Sequence, residues 1–104
     1  MNAQVDPQTK ALNLLGLARR AQQLVLGEEL VVEAARHGQL QLIFIASDLG
    51  PNTTKRIKNK ANFYQIPMIE VFSATQLTHA IGASRKVIGV KDAGFAKGMV
   101  SLMQ

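Results

Sequence analysis

Leu42-Ile43-Phe44-Ile45-Ala46 is an uninterrupted run of apolar side chains, and it constrains the fold more than any other stretch of the sequence. Side chains of a strand alternate between its two faces, so a run with no polar position commits both faces to burial. The other segments have to supply the cover. Leu24-Val25-Leu26, Met68-Ile69-Glu70-Val71-Phe72 and Val87-Ile88-Gly89-Val90 read as three further strands. Between and around them lie helical stretches with their own start and stop signals. Asp6-Pro7 is an N-cap followed by proline at the first helical position, with Leu12, Leu15 and Ala18 at helical spacing behind it. A second helix is predicted over Glu28–His37, stopped by Gly38, with Val31, Ala34 and Ala35 inward. A third follows the Ser47–Asn52 turn and runs over Thr53–Phe63. Ser73 and Gln76 form a capping box for a fourth that ends at Gly82, and Asp92 caps a fifth over Ala93–Met103. Strands alternating with helices of this length predict an α/β protein, a three-layer α/β/α sandwich around a four-stranded mixed, mainly parallel sheet. No repeat or linker divides the 104 residues, which predicts one domain spanning 1–104.

The same sequence excludes several chemistries. It contains no cysteine, so disulfides, thiol catalysis and cysteine-ligated metals are out. His37 and His79 are isolated, with no acid or second histidine at metal-binding spacing, and no cofactor is expected. MNAQVDPQTK has neither the basic start nor the apolar run of a signal peptide, and no stretch is apolar for long enough to span a bilayer. A cytoplasmic protein without membrane contact is the expectation, and nothing calls for an obligate dimer.

Twelve Lys and Arg against seven Asp and Glu leave a net charge of +5, which suits a polyanionic partner and equally suits simple solubility. Placement is more informative. At 100° per residue, Ile57, Ala61 and Tyr64 share the inward side of the third helix, while Lys55, Arg56, Lys58 and Lys60 occupy the opposite arc without an acid among them. Such a face can track phosphates, or it can be a solvated surface. Arg85-Lys86 before the last strand and Arg19-Arg20 at the end of the first helix are two more basic spots. Phe44, Phe63, Tyr64, Phe72 and Phe95 mostly read as core, and no exposed aromatic pair suggests a platform for stacked bases.

Three features in order carry a family resemblance: LLGLARRAQQLVLGEELVVEAARHGQLQLIFIASDLGPNT, then IPMIEVFSATQLTHAIG, then VIGVKDAGFAKGM. From Leu12 onward the sequence resembles the ribosomal protein L7Ae family, especially its short bacterial YlxQ-like branch. The resemblance implies an α/β/α fold that binds structured RNA, typically kink-turns, in ribosomal or related particles. RNA and ribosomal proteins are then the implied partners. It implies that RNA sits on the loop into the second helix, on the first turns of that helix, and on the loop before the last strand. Kink-turn binders carry G-x-N-E-x-x-K in the first of these regions. Here Gly27-Glu28-Glu29-Leu30-Val31-Val32-Glu33 keeps the glycine, but Glu29 replaces the asparagine, Leu30 the glutamate and Glu33 the lysine. His37 stands where those binders often have arginine, and Gly82-Ala83-Ser84-Arg85-Lys86 looks short beside the corresponding loop. The departures argue against standard kink-turn specificity.

The candidate RNA-binding residues are therefore Gly27, Glu28, Glu29, Glu33, His37, Lys55, Ser84, Arg85 and Lys86. Gly27 can take a positive φ and let a ligand come close to the backbone. Glu28 and Glu29 in a first helical turn offset the dipole there, which accounts for both acids without a ligand. Alternatively, Glu29 accepts hydrogen bonds from donor groups of an exposed base while Lys55, Arg85 and Lys86 hold phosphates. Two other functions fit parts of the sequence. Glu28-Glu29, Asp48, Ser73 and Lys91 fall at strand ends in the order of a phospho-accepting receiver domain that binds magnesium. The altered motif also fits a protein-interaction scaffold that has lost its RNA site. No catalytic arrangement beyond the receiver set appears, and the expectation is a protein that performs no reaction of its own.

Overall fold

Side-chain caps fix three of the helix starts. In a computed structural model that describes residues 6–104, Asp6 accepts a hydrogen bond from the Thr9 backbone N–H at 2.8 Å and opens α1 (Pro7–Arg20). The first five residues of the segment read above as lacking a signal peptide lie outside the described residues. Ser73 and Gln76 cap one another's backbone N–H groups at 3.1 and 2.9 Å and open α4 (Ala74–Ile81), which ends at Gly82 in the left-handed region. Asp92 accepts from the Phe95 N–H and opens α5 (Ala93–Leu102). The remaining helices, α2 (Glu28–Arg36) and α3 (Pro51–Phe63), start instead at Gly27 and Gly50, without a side-chain cap.

Strands β1 (Leu24–Leu26), β2 (Leu42–Ile45), β3 (Met68–Ile69) and β4 (Val87–Val90) form one sheet in the order β1-β4-β2-β3. The sheet is mixed, as expected, but the expectation of mainly parallel pairing needs correction. β4 is antiparallel to both β1 and β2, and only β2 and β3 pair in parallel. Three strands still run the same way; the fourth lies between them and runs against them. Spacing alone cannot distinguish a helix that carries the chain back along a sheet from one that crosses its end. The connection through α4 leaves β3 and enters β4 at the same end of the sheet, so β4 starts with Val87 opposite Ile45, where β2 finishes. The expected strand over Met68–Phe72 is also shorter. Val71 is exposed and Phe72 leaves the ladder to stack on Phe44, with centroids 6.1 Å apart.

Alternation along β2 divides the core. Leu42 and Phe44 join Ile88 and Val90 in a cluster with residues of α1, α4 and α5, including Leu15, Leu77 and Met99. Ile43, Ile45 and Val87 join a second cluster with Val31, Val32, Ala34 and Ala35 of α2 and Ile57 and Ala61 of α3. Each fully buried aliphatic or aromatic side chain of this kind contributes about 1.5–3 kcal/mol. At Gly89 a Cβ would come within 2.8 Å of the end of the Leu40 side chain, which packs over the strand and would have to shift. With the faces of the sheet occupied, its ends are what remain to position a site.

Candidate nucleic-acid interface

β1 and β2 finish, and β4 begins, at the same end of the sheet. Gly27 donates its N–H to the Val87 carbonyl at 2.9 Å, and Ala46 donates to the Lys86 carbonyl at 2.9 Å. These two bonds tie the Gly27 turn and the exit of β2 to the loop that carries Ser84, Arg85 and Lys86. Ser47 donates to the Phe72 carbonyl at 2.8 Å and brings the β3–α4 connection alongside. Gly27 holds φ 102° and ψ 153°, a conformation that side chains rarely adopt, and a Cβ added there would meet nothing within 4 Å. The turn is therefore glycine for its backbone, and the space before it is open.

α2 leads away from this turn. The Val31 N–H closes the first helical bond onto the Gly27 carbonyl, while the N–H groups ahead of it have no side-chain cap. Glu28 reaches sideways to the Arg56 guanidinium of α3. Glu29 is exposed and makes no ion pair among the described residues. At i+4 spacing, Glu29, Glu33 and His37 form one exposed stripe. Glu33 is engaged within it, 2.9 Å from Arg36 and 3.2 Å from the His37 Nδ1, which also lies 2.9 Å from the Glu33 carbonyl. Thus Gly27, Glu28 and Glu29 adjoin the Ser84–Lys86 loop, whereas Glu33 and His37 lie one and two turns further along the helix.

The basic spots are distributed differently from the sequence expectation. The arc of α3 read as free of acids is partly neutralised by other elements: Arg56 pairs with Glu28, and Lys58 with Glu70 at 3.0 Å. Helix periodicity sees only the acids within the helix itself. Lys55 and Lys60 keep no carboxylate partner among the described residues, nor do Arg85 and Lys86. Arg85 folds back to donate to the Ser84 carbonyl at 2.8 Å. Arg19 donates to the Ile81 carbonyl at the end of α4, and Arg20 lines a groove between α1 and α4 with His79.

Two hydrophobic side chains escaped the sequence reading. Leu30, beside Glu29, is 62% exposed, and Phe63, expected in the core, is 78% exposed at the end of α3. The groups of the receiver-like set have other duties. Asp48 accepts from the Ala74 N–H at 2.9 Å, Ser73 caps α4, and Glu28 is paired with Arg56. No group of three or more His, Asp or Glu able to hold a metal ion occurs among the described residues. Among those residues, too, no helix is long and apolar enough to cross a membrane.

The model of the ribosomal protein L7Ae/L30e/S12e/Gadd45 family matches residues 9–100. Two relatives named RNA-binding protein YlxQ are similar over most of their length. That of Enterococcus faecium is 43% identical over 95 residues, covering 91% of this chain and 92% of its own. That of Bacillus subtilis (strain 168) is 40% identical over 91 residues, covering 86% and 91%. Both names state RNA binding rather than catalysis. Among solved structures, a Bacillus halodurans protein of unknown function superposes with a TM-score of 0.87 at 48% identity, covering 90% of this chain and 96% of that one. A Giardia lamblia 15.5kD RNA binding protein reaches a TM-score of 0.79 at 16% identity, covering 96% and 87%, and attests the fold.

Proposed function

The chain belongs to the ribosomal protein L7Ae/L30e/S12e/Gadd45 family, and from that premise we propose that it binds folded RNA at the sheet end built around Gly27 and carries out no reaction. The observation that supports this most directly is the hydrogen bond from Gly27 to Val87. It holds a turn that only glycine adopts easily beside the loop carrying Arg85 and Lys86. In this reading the sheet is the middle of a three-layer α/β/α arrangement, a reading supported by core clusters on both of its faces. Lys55, Arg85 and Lys86 hold phosphates. Glu29, the open backbone of Gly27 and the exposed Leu30 meet bases, while Glu28, locked to Arg56, keeps α2 and α3 in register. Glu33 and His37 extend the contact along α2. Carboxylates in place of the asparagine and lysine of the kink-turn motif favour exposed bases that offer donors over the standard kink-turn. Ribosomal RNA is the first ligand to test, in the cytoplasm and with ribosomal proteins as neighbours.

The test is binding of purified protein to ribosomal RNA fragments across a salt series. Three phosphate contacts predict that log affinity falls with log salt with a slope on the order of −2 to −3. No affinity for any folded transcript, even in dilute buffer, would favour the protein-interaction scaffold to which the altered motif also points.

A further inference from the structure

We propose that the outer face of α3 is a second nucleic-acid site, one that takes an unpaired RNA strand and stacks a base on Phe63. Phe63 is the most exposed of the large hydrophobic side chains among the described residues, at 78%. It is not a loose appendage. Its ring meets Tyr64 edge-on, with centroids 4.9 Å apart and planes at 89°, and Tyr64 packs against the buried cluster under α2 and α3. An edge-on contact covers at most one face of the Phe63 ring, so the other stays open to solvent. A propped, open aromatic face is what a base needs for stacking.

The surroundings of the ring select the occupant. A shallow, open depression extends along the outer face of α3 from Asn52 to Phe63 and Tyr64, bordered by Lys55, Arg56, Asn59 and Lys60. It contains two side-chain amides and three cations, of which Lys55 and Lys60 have no carboxylate partner among the described residues and Arg56 is paired with Glu28 of α2. At 100° per residue, Asn52, Lys55, Asn59 and Phe63 all fall on the arc facing away from Ile57 and Ala61, whereas Lys58, which pairs with Glu70, points to another side. Positive charge for phosphates, amides for base edges and one aromatic face match a single strand of RNA in chemistry. A polypeptide strand would leave Lys55 and Lys60 without partners unless it were acidic there.

Continuity supports the same choice. Arg56, near the start of the depression, is ion-paired to Glu28, the residue next to Gly27. From Arg56 to Phe63 is two turns of helix, about 10 Å at 1.5 Å per residue. A strand leaving the Gly27 turn can follow α3 to the ring within a few nucleotides. The inference extends the proposed RNA function, but its own chemistry requires only a single strand.

The test compares wild type with Phe63→Ala and Phe63→Trp, titrated separately with a labelled six-nucleotide single-stranded RNA and with a folded ribosomal RNA fragment whose unpaired bases are confined to closed internal loops. Phe63→Ala is expected to bind the short strand on the order of tenfold more weakly, and Phe63→Trp to restore it, with the fragment bound equally by all three. Unchanged binding of the short strand by Phe63→Ala overturns the inference. So does failure of wild type to bind it, even where the fragment binds and the Gly27 reading stands. If the short strand binds in a Phe63-dependent way while the fragment does not bind, this inference holds and the Gly27 reading fails. A wild-type dimer that Phe63→Ala dissociates in sedimentation assigns the face to a second copy of the chain and overturns it as well.

Discussion

Gly27 combines a backbone requirement with an open approach, and that pairing makes it informative to mutate. Holding an ordinary side chain at φ 102° and ψ 153° costs on the order of 1–3 kcal/mol, and no neighbour would clash with the added carbon. Gly27→Ala should therefore lower the melting temperature by roughly 4 °C or more while circular dichroism keeps its helical signature. Affinity for folded RNA should fall with it, because relaxing the turn moves Glu29 and the Lys86 loop together. Glu29→Gln makes a finer distinction. If Glu29 reads a base, the preferred RNA sequence changes and the salt slope does not; if it only offsets the dipole, stability falls by about 0.3–1 kcal/mol and preference is unaltered. The need for glycine at position 27 is legible in the sequence, because a glycine between an apolar run and a helix start has few other uses. Residue type alone places Phe63 in the core, and its exposure is a matter of helix geometry. Its angular position, about 240° around the helix from Ile57, already sets it off the buried stripe.

Caps and direction are properties of elements, and the two differ in how far sequence reveals them. Asp6, Ser73 with Gln76, and Asp92 each open the helix assigned to them, because a cap depends on residues three apart. The orientation of β4 depends on whether the connection through α4 returns to the far end of the sheet or stays at the same end, and nothing within α4 encodes that. The cap at α1 carries a pH prediction. The Thr9 backbone N–H, hydrogen-bonded to Asp6, holds its carboxyl below the ordinary 3.8. A lowered folded-state value means that the cap stabilises above the unfolded value and is lost as pH falls through the folded one. Hydrogen exchange at the Thr9 amide should thus be protected at neutral pH and lose that protection, relative to the helix interior, as pH falls below the ordinary 3.8 through the lowered Asp6 value. Asp6→Asn, which caps without titrating, should remove that dependence.

At the scale of the whole molecule, a net charge of +5 means less than where cations remain without acids. Lys55, Lys60, Arg85 and Lys86 keep no carboxylate partner among the described residues, whereas Arg36, Arg56 and Lys58 are paired. Replacing Arg85 and Lys86 together by alanine should reduce the salt slope of RNA binding by about 2, weakening all RNAs alike. The alternation of strands and helices is legible along the chain. The pairing of Arg56 with Glu28 is not, because it joins residues that only the packing of α2 against α3 brings together. Ultraviolet crosslinking of the protein to RNA in cells, followed by mass spectrometry of the RNA-bearing peptides, tests the central claim most directly. Crosslinks on Gly27–Glu33 and Ser84–Lys86 are the predicted result. Crosslinks confined to the groove between α1 and α4, or none at all, would contradict it.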